Sequence, residues 1–326
     1  MERRASHLRY SVYGLFLESD VPLPGLAPSN TDRDAHVVVC VEPDEYFPPA
    51  ATEFPWYVSE WLDEGTGKPA LTISHVIADG SFTFRYAEGV EFRVDAGGGR
   101  VVARFASRSC FADMVTFLTG PVLGVLLRMR GVIALHASAI DVGEKAIVLA
   151  GDAFAGKSTT AVMFARMGCR ILTEDIAPLS LARGRVTVSS GCTEVALRPD
   201  AVKRLYGSVD ALPKFSDNWD KHRLDLAATG AFTHGSLPVA AIYMLTNHAR
   251  IADVPCVMPM SSGEAMVELL ANIYGNRLLH PELRLRELDT VHHVVSTIPV
   301  KAAVTGGRNS PVERFCEVVL DDVRAS

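Results

Sequence analysis

The sequence predicts a two-domain chain: a β-rich N-terminal domain over residues 1–110, then an α/β domain over residues 111–326 carrying a phosphate-binding loop, α+β overall. Three observations predict it. Short runs of strand-forming residues separated by turn clusters recur from Arg9 to about Ala106. Beyond Arg130, strand-like and helix-like segments alternate. The run G-D-A-F-A-G-K-S, from Gly151 to Ser158, lies between an apolar strand and a helix-forming segment, where a phosphate loop has to lie. With 326 residues, 48% of them hydrophobic, the chain has the length and the apolar material for one large or two medium domains.

In the first half the strands are "RYSVYGLFLES", "HVVVCVE", "ALTISHVI", "SFTFRYA", "VEFRVD" and "RVVARFA". In "VEFRVDAGGGRVVARF", alternation on both sides of Gly97-Gly98-Gly99 predicts a hairpin, because glycine supplies positive φ without steric cost. Trp56 and Trp61, in "FPWYVSEWLDEG", fit either a domain core or a peptide-binding patch. Between Phe111 and Arg130 apolar residues fall at helical spacing, with Pro121 near the start of a second helix, so a helical connector separates the halves. The second half then reads "IALHASAIDV", "KAIVLAG", a helix from Ser158 to Met167, "CRILTEDIAPLSL", "GRVTVSS" and "AAIYMLTN". A further helix begins at Pro199, and "GSVDALPKFSDNWDKH" reads as a mobile insert from its turn and charge content.

Several function classes are disfavoured. A net charge of -6, from 32 basic and 38 acidic residues without long runs, leaves no footprint for nucleic acid. No uninterrupted apolar stretch reaches the roughly 18 residues of a membrane helix, since Arg128 and Arg130 break the best candidate. The start lacks the apolar core of a signal peptide, so cytoplasmic residence without a membrane partner is expected. The 6 cysteines form no Cys-x-x-Cys pair and are expected to be reduced, and His292-His293 lack the carboxylate and cysteine company of a metal site.

In the loop, Gly151 and Gly156 permit the turn that aims backbone N–H groups at phosphate oxygens. Asp152, Ala153, Phe154 and Ala155 complete the cradle, and Lys157, Ser158 and Thr159 open the helix whose N-terminal dipole favours anions. Lys157 is expected to bridge the β- and γ-phosphates of ATP, and Ser158 to ligate Mg²⁺. Downstream, "CRILTEDIAPLS" carries Glu174 and Asp175 at a strand's C-terminal end, where α/β sites form. If the strand persists they point to opposite sides, which suits unequal roles. Asp175 is the candidate Mg²⁺ ligand or general base, with Glu174 sharing either task; the competing reading is an exposed acidic turn. Arg198, in "VALRPDAV", and Arg223, in "DKHRLDL", are candidates for transition-state charge, against surface ion pairs with Asp200 and Asp225.

This order of motifs resembles the HPr kinase/phosphorylase catalytic fold, related to phosphoenolpyruvate carboxykinases, over most of residues 131–326. The segment that carries it is "LHASAIDVGEKAIVLAGDAFAGKSTTAVMFARMGCRILTEDIA". Glu174 stands where the family usually has the first of two consecutive aspartates, and Ala153-Phe154 where bifunctional members usually show serine and glycine. The resemblance places His136 near the transferred phosphate, orienting an acid or donating to an oxygen, against the alternative of a satisfied core histidine. Ser138, two residues on, shares its side of the strand. Together with "YSVYGLFLESDVPLPGL", "EVALRPDAVKRLYG", "DKHRLDL", "LPVAAIYML" and "IPVKAAV", the sequence is most similar to the HPr-kinase-like proteins of lasso-peptide clusters. That resemblance implies an ATP- and Mg²⁺-dependent kinase phosphorylating a serine hydroxyl of a lasso precursor peptide, with the N-terminal domain positioning substrate or forming a homo-oligomer contact. The alternatives are a bifunctional HPr-type kinase/phosphorylase on a carrier protein, a nucleotide-sensing module without turnover, and a phosphate-loop hydrolase.

Overall fold

A computed structural model of the chain describes residues 7–43, 52–107, 110–182, 184–216, 219–246, 254–276, 281–306 and 310–325. The expectations for the first six residues, for Asp217-Asn218 of the insert and for Asn247 at the end of "AAIYMLTN" lie outside them. The chain divides into two compact units, residues 1–129 with 216–218, and residues 130–215 with 219–326.

The first unit holds β1 (Leu8–Val12), β2 (Leu15–Ser19), β3 (Ala27–Pro28), β4 (Val37–Pro43), β5 (Glu53–Val58), β6 (Leu71–Val76), β7 (Phe82–Tyr86), β8 (Val90–Val94) and β9 (Arg100–Phe105). They form one sheet in the order β3-β1-β2-β4-β9-β8-β7-β6-β5. The glycine-rich hairpin is β8–β9, antiparallel in the register Val94↔Val101, with Gly98 at φ 65°. Period-2 alternation buries Val12, Leu17, Val37, Val39, Phe84, Phe92 and Val101. The two tryptophans separate: Trp56 stacks on Phe82 with ring centroids 4.8 Å apart, whereas Trp61 is 76% exposed.

The helical connector is continuous: α1 (Phe111–Phe117), a π segment (Leu118–Val122) around Pro121, and α2 (Leu123–Met129). It belongs to the first unit, so the boundary falls after Met129 and not at 110/111. Phe117 stacks on Tyr86 at 3.8 Å and Phe111 meets Phe105 edge-on, which anchors the helix on the first sheet. The membrane criterion read from sequence also changes, because these 19 residues are long and apolar enough by length and composition. Most of them are buried, among them Met114, Leu118, Val122, Leu123 and Leu126.

The second unit is a mixed α/β assembly. Its strands are β10 (Ile133–Asp141), β11 (Ala146–Ala150), β12 (Arg170–Thr173), β13 (Ile176–Ala182), β14 (Arg185–Ser189), β15 (Glu194–Leu197), β16 (Lys214–Ser216), β17 (Trp219–Asp225), β18 (Ser236–Thr246), β19 (Cys256–Pro259) and β20 (Val300–Val304). The helices are α3 (Lys157–Arg166), α4 (Pro199–Tyr206), α5 (Ser262–Ala271), α6 (Pro281–Thr297) and α7 (Val312–Arg324). The large sheet runs β11-β10-β13-β14-β18-β20-β19, with β12 continuing β13's pairing on β10, and β11 also pairing with β18. β11, β18 and β20 are parallel, the others antiparallel. Leu135, Ala137, Ala139, Ala146, Val148 and Ala150 pack with Ala265, Leu269, Val291 and Val294 of α5 and α6. The alternate residues Ile140, Ile147 and Leu149 are equally buried, so both sheet faces are covered and these strands are apolar throughout.

The segment expected to be a mobile insert is ordered where described: a 3-10 turn at Val209–Ala211 followed by β16 and β17, in a small sheet of order β15-β17-β16. His222 is buried with Nδ1 2.8 Å from the Leu212 carbonyl, and Phe215 stacks on Trp219; these long-range contacts outweigh the turn-rich composition.

Candidate functional site

The phosphate loop leaves β11 at Ala150 and enters α3 at Lys157. Gly151 has φ 141°, and a Cβ there would come within 2.6 Å of the Leu245 carbonyl oxygen on β18, so close strand packing and backbone conformation both require glycine. Gly156, the residue before the helix, is left-handed at φ 95°, which aims the first free N–H groups of α3 into the loop. Asp152 and Ala153 are exposed, while Ala155 and Thr159 are half-buried. Lys157 curls back over the loop, its Nζ donating to the carbonyls of Gly151 at 2.7 Å and Asp152 at 3.0 Å. Burial pushes its pKa down, against the raising influence of Asp175, Glu174 and Asp152.

The acidic pair lies where β12 ends and β13 begins, and not on a continuous strand. Ile176 N–H donates to the Glu174 carbonyl at 2.8 Å across Asp175, whose φ is 67°: a γ-turn of the positive-φ kind. Thr173 Oγ1 closes the turn on the Ile176 carbonyl at 2.5 Å, and Ala137 N–H donates to the Asp175 carbonyl at 3.2 Å. The strict alternation expected of two neighbouring carboxylates on a strand therefore does not apply.

What the turn achieves is a division of partners. Glu174 Oε1 accepts from Ser158 Oγ at 2.6 Å, while Asp175 Oδ1 lies 3.3 Å from His136 Nδ1. Of the two residues expected to ligate Mg²⁺, Ser158 and Asp175, Ser158 is in direct contact with Glu174 and not with Asp175. Burial, then the neighbouring Asp175 charge, pushes the Glu174 carboxyl up to about 7. His136 projects from β10, its ring stacked on Tyr274 at 5.9 Å and its backbone N–H donating to the Asn272 carbonyl at 2.8 Å. Burial lowers its pKa; Asp175 opposes this, and Lys157 and Lys221 reinforce it, so the imidazole is neutral at pH 7. Ser138 is buried, its hydroxyl without a partner among the described residues.

The two arginines differ. Arg198 precedes α4 with its guanidinium 5.0 Å from the Phe154 ring centroid, and its Nε meets Asp200 Oδ1 at 3.2 Å, the ion pair weighed from sequence. Arg223 pairs with Glu194 at 3.5 Å instead of Asp225, and no contact among the described residues joins it to the loop. Lys221, two residues earlier on β17, joins Lys157 as a cation whose field reaches both Glu174 and His136. Sequence reasoning set it with Arg223 beside the expected mobile insert and gave it no role of its own. Tyr274 was missed outright, since nothing local marks an aromatic in the turn after α5 as a ring partner.

Chemically, the site sets backbone N–H groups and a lysine against a hydroxyl, two carboxylates and a neutral imidazole. Oxygen donors from Ser158 and Glu174 suit a hard cation such as Mg²⁺, which takes one or two carboxylates plus phosphate oxygens. A cage of three or more His, Cys, Asp or Glu side chains is absent among the described residues. The donors present therefore fit MgATP.

No family model and no curated protein matches the sequence. Among solved structures, the chain is similar to the Hpr(Ser) kinase/phosphatase from Coxiella burnetii, at a TM-score of 0.36 and 11% identity, over 59% of this chain and 91% of that one.

Proposed function

We propose that the second unit is an ATP-dependent kinase transferring the γ-phosphoryl group to a serine hydroxyl of a peptide, the lasso precursor named by the sequence resemblance. One observation carries the reading: beside a lysine-bearing loop at the end of β11, the adjacent acids divide their partners, Glu174 accepting from Ser158 of that loop at 2.6 Å and Asp175 lying 3.3 Å from His136. Bound Mg²⁺ supplies charge neutralisation on the phosphates. The loop N–H groups and Lys157 orient the phosphate chain; to do so, Lys157 exchanges its Gly151 and Asp152 carbonyl partners for phosphate oxygens. Ser158 and Glu174 hold the metal side. Asp175 takes the proton from the acceptor hydroxyl, and the neutral His136 keeps that carboxylate oriented. Positive φ at Asp175 swings its side chain away from Glu174's task, which is why two adjacent acids can serve two roles.

The test is intact-mass analysis, with fragmentation, of a serine-containing lasso precursor peptide incubated with protein, Mg²⁺ and ATP. One phosphate on serine, absent with Lys157→Ala of unchanged fold, is the expected result. An unmodified peptide under tight ATP binding points to a nucleotide sensor, ADP release without acceptor to a hydrolase, and phosphate-stimulated removal of the phosphoryl group to a bifunctional enzyme; the first two overturn the kinase reading.

A further inference from the structure

Phe154 sits at the tip of the phosphate loop in a conformation that opposes its own chemistry. Its φ is 67°, a region that a bulky side chain enters only under strain, and its side chain is 79% exposed, so burial does not offset that strain. The one contact of its ring among the described residues is the Arg198 guanidinium, whose carbon lies 5.0 Å from the ring centroid. An exposed cation–π pair is a weak interaction and does not outweigh the backbone cost. Fold stability therefore does not account for phenylalanine at this position.

Arg198 shows what the contact accomplishes. It occupies the N-cap position of α4 without a side-chain cap hydrogen bond, so its side chain satisfies none of that helix's first N–H groups. Asp200 engages only Nε, at 3.2 Å, and the two terminal amino groups make no hydrogen bond among the described residues. Held by the ring on its face and by Asp200 at its stem, the guanidinium stands at the tip of the loop with its outer pair of amino groups available, a fork of donors that matches phosphate oxygens.

Resting on the phosphate-loop reading above, we infer that Phe154 is a positioning residue: its ring holds Arg198 over the loop so that the guanidinium engages the terminal phosphate of bound ATP. The contact selects the triphosphate over the diphosphate, since only the former places an oxygen at the fork.

Calorimetric titration with Mg²⁺-AMP-PNP and with Mg²⁺-ADP tests this without requiring phosphotransfer. The unmodified chain is expected to prefer AMP-PNP by about tenfold, the scale of one charge-assisted contact. Phe154→Gly suits the positive φ, so the fold should melt no lower, yet the preference should fall below about threefold. Phe154→Trp retains the cation–π face and should keep it. Arg198→Ala should abolish the preference, and adding Phe154→Gly to it should change nothing further. An undiminished preference in Phe154→Gly, or equal losses from Phe154→Gly with and without Arg198, overturns the inference. So does an unmodified chain that binds both nucleotides equally. Absence of all nucleotide binding by the unmodified chain is a different failure, that of the phosphate-loop reading itself.

Discussion

Replacing Glu174 by glutamine should stabilise the metal-free protein, and only above mildly acidic pH. Burial and the Asp175 charge carry the carboxyl from an ordinary 4.5 to about 7. Between those values the folded chain holds a proton that the unfolded chain has released, so this group makes stability fall as pH rises through the window. At about 1.4 kcal/mol per pKa unit, the full cost above pH 7 is about 3 kcal/mol. Glutamine still offers an oxygen to Ser158 Oγ but carries no charge to desolvate. The gain from Glu174→Gln should therefore be near zero at pH 4.5 and approach about 3 kcal/mol at pH 7.5. Trp219 is the sole tryptophan of the second unit, so urea unfolding with EDTA, in a background where Trp56 and Trp61 are phenylalanine, reports on the right unit. A stability difference between the two proteins that does not change with pH would refute the reasoning, because a lost contact or a cavity carries no such window.

Gly151→Ala should cost about 3 kcal/mol or more, measured as a lowered urea midpoint, since the new Cβ meets a backbone carbonyl that cannot yield without shifting β11 from β18. Asp175→Asn should leave the midpoint within about 0.5 kcal/mol, because asparagine tolerates positive φ, and should slow phosphotransfer at least about a hundredfold in a quenched time course. Asp175→Ala should slow it equally but also lose about 1 kcal/mol of stability, as alanine has no local hydrogen bond to support that conformation.

How much could be read in advance follows from how far each feature depends on distant chain. The phosphate loop is a local construction, with glycines at two of its three positive-φ positions, a lysine and a serine at the helix start, and an apolar strand before them; all of it lies within one window, the positive φ of Phe154 being the part that its residue type does not announce. The β8–β9 hairpin and the start of α4 at Pro199 are local in the same sense. The γ-turn at Asp175 is not: nothing in "TEDIA" announces it, because it arises from β12 and β13 both pairing with β10. Lys221 was hidden by its polar neighbours, whose order depends on the burial of His222 and the stacking of Trp219. The ownership of Phe111–Met129 turned on aromatic contacts with β7 and β9, which a helical period cannot disclose. For His136 the structure shows a half-exposed ring 3.3 Å from Asp175, a contact between residues of different strands that the window around "ALHASAI" does not disclose.

The shared pairing of β12 and β13 on β10 also bears on how such a site can vary. Thr173 aligns with Ala139 and Ile176 with His136, so the acids are a two-residue stitch between halves of a single ladder. Adding or removing one residue there would turn one half over, sending its apolar side chains to the wrong layer. Lineages descending from such a chain can therefore exchange the acids, glutamate for aspartate included, far more readily than they can alter the length of the segment that bears them.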